Sequence, residues 1–274
     1  MIALRILLTA LALAAPPAPD APLPTTPAAV ARELAETTTA LNSELDAWRA
    51  SGRAAVPSDV TLSALYEQRL VRKLSAEPTL ARGTIRLLSG PLANKIRDLV
   101  TAHRELVRIT PPLRKPKIRV RPAAPAANLL SWYHEAERRF HVPWRVLAAV
   151  NFVESAFGKL RSTSAAGAQG PMQFMPSSWR TYGLGGNVHD PHDAILGAAN
   201  YLRAAGATSS TRRALYAYNP SPLYVDAVLR YARRIRADIR SFYDFYSWQV
   251  YVRTSSGSVR VTGPGTHQGQ SPTR

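Results

Sequence analysis

One carboxylic acid and one loop carry the chemistry legible in this chain. Glu154 falls in the last turn of a helix-like stretch whose apolar face is Val146, Val150, Val153 and Phe157. Downstream runs Ser164-Ala-Ala-Gly-Ala-Gln-Gly-Pro-Met-Gln-Phe-Met-Pro176, rich in glycine, side-chain amide and thioether groups. A carboxyl group beside an apolar stripe loses hydration, and the negative end of a helix dipole further disfavours its anion. Both effects raise its pKa, as proton delivery to a glycosidic oxygen requires while the sugar becomes oxocarbenium-like. Taken alone, Glu154 reads as an ordinary solvent-facing helix glutamate. The loop changes that reading. Its glycines let the backbone approach a bulky polymer, while Ser164, Gln173 and Met175 offer the hydrogen-bonding and soft apolar contacts a sugar needs. The plainer alternative is a connector with Met172 and Met175 as core filler.

Other chemistries find less support. No Asp or Glu lies between Glu154 and Asp190, so the second carboxylate of a retaining or inverting hydrolase is missing there. Asp190 and Asp193 read as turn and helix-start residues. Ser155 has no neighbouring histidine to make it a nucleophile. His189-Asp-Pro-His192-Asp193 lacks the third well-spaced ligand of a fixed zinc site, so no metal is expected. The absence of cysteine excludes a thiol nucleophile, a disulfide framework and lipid attachment through sulfur.

The elements that must position Glu154 follow from periodicity and punctuation. Residues 1–15 read as a secretory signal: Arg5, the apolar run Ile6 to Ala15, and small residues at Ala12-Leu13-Ala14. A buried N-terminal helix is the alternative, and the run is too short to span a bilayer. Residues 16–27, rich in Pro, Ala and Thr, read as a disordered spacer. From 28 to 107 apolar residues recur at helical spacing (Leu34, Leu41, Leu45, Trp48; Leu62, Tyr66, Leu70, Leu74; Leu92, Ile96, Leu99, Val100), with Gly52 as a stop and Pro91 as a start. Three amphipathic helices in a small bundle are expected.

Residues 111–127 form a basic, proline-rich linker with Arg114, Lys115, Lys117, Arg119 and Arg121. Residues 128–240 read as a compact helical domain, with Asn128 and Ser177 as caps, Asp190-Pro191 opening a helix, and further helices over 211–218 and 222–240. Alternation of Trp248, Val250, Val252, Val259 and Val261 suggests a hairpin turning at Ser255-Ser256-Gly257. A disordered tail completes the extension 241–274. The fold class is all-α, with a possible short C-terminal β-hairpin.

The formal charge of +17 favours polyanions. For an exported chain these are cell-wall polymers, which the linker and the run Arg230, Arg233, Arg234, Arg236 and Arg240 could grip; a solvated helix face explains that run equally well. Nucleic acid is not expected, since no recognisable motif for it is present.

The chain resembles the SLT-type lytic transglycosylases, which have a goose-lysozyme-like fold. The resemblance covers roughly 128–235. The family's Ala-hydrophobic-x-x-x-Glu-Ser segment reads Ala149 to Ser155, implying Glu154 as the catalytic acid. Its Ser-to-Pro loop reads Ser164 to Pro176, implying substrate contacts from Ser164, Gln173 and Met175. Asp190-Pro191, Ala194-Ile195 and Ala199 to Leu202 match a third segment. Ala217-Tyr218-Asn219 matches a fourth, implying that Tyr218 and Asn219 face the cleft. Pro171 and Phe174 depart from the family's Leu and Ile, and Pro220 follows Asn219 in place of Ala-Gly. The loop is also similar to that of membrane-bound B-type enzymes, but the following stretch to Asp190 holds a single acid, so no calcium site is expected.

The resemblance implies an exported, cofactor-free enzyme acting on peptidoglycan glycan strands. It would cleave the bond between N-acetylmuramic acid and N-acetylglucosamine and leave a 1,6-anhydro end. A hydrolytic muramidase and a non-catalytic wall-binding protein remain as alternatives.

Overall fold

A computed structural model describes residues 15–113 and 118–266. Residues 1–14 of the expected signal segment, Arg114, Lys115 and Lys117 of the linker, and the tail from 267 lie outside them. Among the described residues the chain forms eleven helices and one two-stranded sheet.

The N-terminal part holds four helices, α1 (Pro27–Ser51), α2 (Ser58–Ala76), α3 (Pro78–Leu87) and α4 (Gly90–Ile109). Thr26 caps α1, its hydroxyl accepting from Ala29 N at 3.4 Å, and Gly52 ends it in the left-handed conformation at φ 66°. The expected three helices become four because a proline restarts the chain after only one residue. Glu77 both ends α2 and precedes Pro78 of α3, whose apolar face is Leu80 and Ala81.

The second part holds α5 (Ala126–Phe140), α6 (Trp144–Ser155), α7 (Pro176–Tyr182), α8 (Pro191–Ala204), α9 (Thr211–Tyr218), α10 (Pro222–Ala237) and α11 (Arg240–Ser247). Two expected caps are displaced. Helix α5 starts at Ala126, which puts Asn128 inside its first turn, and Pro176 starts α7 ahead of Ser177. The expected helix 222–240 breaks at Asp238, whose carboxylate takes the Arg240 amide at 2.9 Å and so starts α11. Helix α11 occupies the start of the expected extension, ahead of the hairpin, because Phe242, Phe245 and Tyr246 bury at helical spacing. The hairpin itself is shorter: β1 (Tyr251–Thr254) pairs antiparallel with β2 (Gly257–Arg260), Val252 opposite Val259.

One hydrophobic core runs from Val30 to Trp248 through both parts. Helix α10 lies along both α4 and α6. The arginine run expected to meet anionic polymer is largely engaged inside the protein. Arg230 pairs with Glu105 at 3.1 Å, Arg234 with Asp98 at 2.8 Å, and Arg233 reaches Asp98 as well. Arg240 bridges Asp238 and Asp46. Deeper in, Lys95 of α4 sits between Glu67 of α2 (2.8 Å) and Asp244 of α11 (3.0 Å).

The expected spacer has no regular structure before Pro27, yet it is attached. Ala21 and Leu23 pack on the core and Asp20 pairs with Arg260 at 3.2 Å. The described end of the linker is held too: Val120 bridges Leu160, and Arg119 N donates to Ser162 Oγ at 2.8 Å. No helix of the described residues is long and apolar enough to cross a membrane.

Candidate active site

Glu154 stands one residue before the end of α6, and the way that helix ends holds it. Ala156 (φ 50°) and Phe157 (φ 62°) are both left-handed. Their amides turn back to Phe152 O and Asn151 O at 2.9 and 3.2 Å. Two such non-glycine residues in succession store strain that packing must hold. Phe157 supplies the hold: it is 1% exposed, among the rings of Phe152, Phe242 and Tyr246. Ser155 is a second clamp. Its hydroxyl donates to Pro171 O and accepts from Gly158 N at 2.8 Å, tying the helix end to the downstream loop.

The Glu154 side chain is half-buried, and its Oε1 accepts a hydrogen bond from the Tyr224 hydroxyl at 2.6 Å. Burial raises its pKa to about 7, against the Tyr224 bond, which favours the anion. No charged neighbour contributes to the shift. The Tyr224 and Tyr218 phenols are pushed up, first by burial and then by the Glu154 carboxylate. Both remain neutral donors at ordinary pH.

The loop closes on itself below the acid. Gln169 and Phe174 exchange two backbone hydrogen bonds of 2.8 Å, folding Gly170 to Gln173 into a tight turn. Gly170 (φ 74°) lies against Val188, where a Cβ would come within 1.9 Å of the carbonyl oxygen. Gln173 is left-handed at φ 49° and donates Nε2 to Gly170 O at 2.9 Å. Met172 is buried; its sulfur takes Asn151 Nδ2 at 2.9 Å and its carbonyl takes the Tyr218 hydroxyl at 2.6 Å. Helix α6, the loop and α9 are thereby locked together. From Tyr218 an aromatic row continues through Tyr201 (centroids 5.3 Å apart) to Tyr182 (4.6 Å, stacked), with Phe174 and Trp179 packed alongside. Tyr182, Tyr201 and Tyr218 are only half-buried, as stacking platforms for sugar rings would be.

Of the residues singled out in the sequence, Glu154, Tyr218 and the turn holding Gln173 come together. Met175 directly precedes α7 and is 41% exposed. Asn219 ends α9 next to Tyr218, its amide bonded to Leu215 O at 2.9 Å. Ser164 closes its own turn: its hydroxyl accepts from Ala168 N and its amide donates to Ala168 O, each at 2.9 Å. No described contact joins Ser164 to Glu154. In the His189 to Asp193 stretch, Asp190 Oδ1 caps α8 through the His192 and Asp193 amides, and Asp193 Oδ2 takes Asn187 N at 2.8 Å. His192 bonds Glu135 at 2.9 Å.

Tyr224 is the site residue the sequence reading missed. It shares an apolar helical stripe with Val225, Val228 and Tyr231, so it reads as core, and it is indeed 2% exposed. The available signal was a hydroxyl-bearing ring in the first turn of the helix that follows Tyr218-Asn219.

Compared with known proteins, residues 131–239 match the family model described as the transglycosylase SLT domain. Comparison with curated proteins gives no match.

Proposed function

We propose, from the match of residues 131–239 to the transglycosylase SLT domain, that the chain is a peptidoglycan lytic transglycosylase in which Glu154 alone serves as acid and then base. Glu154 gives its proton to the oxygen joining N-acetylmuramic acid to N-acetylglucosamine. The C1–O bond breaks as the muramoyl C1 becomes cationic, with the 2-acetamido oxygen stabilising it. The Glu154 carboxylate then takes the proton of the same sugar's C6 hydroxyl while that oxygen bonds to C1. The proton given is regained, no water enters, and a 1,6-anhydro end results. Tyr224 holds the acid through its hydroxyl, and Tyr218, Gln173, Met175, Asn219 and Ser164 line the path of the glycan. The basic surface outside the internal ion pairs attracts anionic wall polymer. The chain reaches the wall by export through residues 1–15, which N-terminal sequencing of the secreted protein tests.

The observation that carries this reading is the half-buried Glu154 carboxyl at the end of α6, held at 2.6 Å by the Tyr224 hydroxyl and raised to about 7 by burial. Mass spectrometry of purified wall digested by the full chain tests it. Anhydro-muropeptides are expected from the native protein and none from Glu154→Gln. Products heavier by one water would make the protein a hydrolase. Binding without release would leave it non-catalytic.

A further inference from the structure

A cavity of about 480 Å³ lies at the seam between the two parts of the chain, away from Glu154. That volume suits a small ligand. One wall is methyl and methylene surface from Ala54, Ala55, Val56, Pro122, Ala123 and Pro125. The rest brings in the end of α11 and two cations, Arg121 and Lys159.

A short two-stranded ribbon places those cations together. Arg121 N donates to Lys159 O (3.0 Å) and Arg161 N to Arg119 O (2.8 Å), with Val120 opposite Leu160. Residues directly opposite in an antiparallel pair share a face. Arg121 and Lys159 therefore stand side by side, and Arg119 and Arg161 continue the same face, with Asp190 partly offsetting Arg161.

The lining contains no carboxylate. Its neutral polar groups already have partners. Tyr246 Oη donates to Ala124 O at 3.0 Å, Ser247 Oγ to Tyr243 O at 2.8 Å, Thr262 Oγ1 to Gln249 Oε1 at 2.9 Å, and Thr61 Oγ1 to Pro57 O at 3.0 Å. The Lys159 ammonium donates to the carbonyls of Tyr246 and Trp248 and stands 5.4 Å from the centre of the Tyr246 ring. Neither Lys159 nor Arg121 has an acidic partner among the described residues. Desolvation pulls the Lys159 pKa down to about 7, the mark of a buried cation with no counter-charge. An anion with a small apolar body would complete this site.

We propose that the seam cavity binds the C-terminal carboxylate of a short peptide with small apolar side chains. The carboxylate lies on Arg121 and Lys159, and the side chains lie on the alanine and proline wall. Taken with the wall-polymer reading above, on which the choice of source rests, the occupant is the alanine-rich stem peptide attached to the glycan. The N-terminal helices then contribute to substrate recognition, because the α1–α2 connection supplies one wall.

The test titrates N-acetyl-D-Ala-D-Ala, its C-terminal amide, and N-acetyl-L-Ala-L-Ala into the full chain bearing Glu154→Gln, by calorimetry. Saturable binding of the D,D acid is expected, with at least a tenfold loss for the amide. Arg121→Glu, at an exposed position that leaves the fold intact, should cause a similar loss. The proposal is overturned if acid and amide bind alike, if Arg121→Glu changes nothing, if the L,L peptide binds better, or if millimolar peptide shows no saturation. Binding is read on a variant that cannot turn over. A failure of the proposed catalytic step therefore leaves this measurement unmoved.

Discussion

Glu154 is governed by two opposed influences, and each can be removed separately. Burial raises the carboxyl to about 7, and the 2.6 Å bond from Tyr224 pulls it down by favouring the anion. The acid must be protonated to act, so the rate should fall as pH rises through about 7. Tyr224→Phe removes only the downward influence. A hydrogen bond to a charged group contributes about 1.5–3 kcal/mol, so the alkaline limb should move up by roughly one to two pH units. Anhydro-product formation measured from pH 5 to 9 checks this; a limb that stays put or moves down rejects the role given to Tyr224. Glu154→Gln should reduce turnover by roughly 10³-fold or more, the upper range for losing a general acid. The same substitution should stabilise the protein at high pH. A carboxyl whose folded pKa lies above its unfolded value of 4.5 binds its proton more tightly when folded. Native stability therefore declines as pH rises from 4.5 through about 7. The variant lacks that decline, so the two melting curves should coincide near pH 4.5. They should separate, by no more than about 3 kcal/mol, near pH 8.

Among the elements, the turn at Gly170 couples packing to chemistry most directly. It positions Met172 O for Tyr218 and Pro171 O for Ser155, so it holds two sides of the acid. Gly170→Ala meets both a left-handed φ of 74° and the Val188 carbonyl at 1.9 Å. The φ alone costs about 1–2 kcal/mol, and the clash forces the turn to move. A lower melting temperature is expected, together with a fall in kcat on the order of 10²-fold from misplacement. Gly185→Ala is the matched control. Its φ is 80°, but its Cβ would meet nothing within 4 Å, so it should lose some stability and little rate. Equal effects on rate from the two variants would refute the coupling. Punctuation made much of this level readable in advance. Gly52, Pro91 and Asp190-Pro191 stop or start helices where steric rules require it. Where two rules competed, sequence reading left the element unassigned. The aromatic run from Phe242 to Trp248 has high strand propensity, yet burial at helical spacing decides for α11.

For the whole molecule, the expected division into a helical module, a linker and a catalytic domain rests on proline content, and one core runs across it where α10 lies on α4 and α6. The sequence could not show that Arg230, Arg233 and Arg234 answer Asp98 and Glu105, because those partners lie more than a hundred residues away along the chain and pairing at that range leaves no periodic trace. Nor could it show that Lys95 stands between Glu67 and Asp244. In that trio, burial and then the Glu67 carboxylate push the Asp244 carboxyl up, against the Lys95 ammonium. Lys95→Met leaves both acids buried without their cation and should destabilise by about 3–5 kcal/mol. That loss should shrink in acid, where Asp244 is protonated, and urea titrations at pH 5 and 8 measure it. The same trio predicts what happens when the chain is cut. Residues 126–266 expressed alone would expose the α10 face that lies on α4, strip Asp98 and Glu105 from three arginines, and leave Asp244 without Lys95. No replacement for these partners exists within the fragment, so it should be insoluble or melt without cooperativity. Co-expression with residues 15–110 should restore both solubility and wall-digesting activity. A cooperative melt and full activity from 126–266 alone would show instead that the N-terminal helices are an appendage, and the seam cavity they help to build would lose its claim on the substrate.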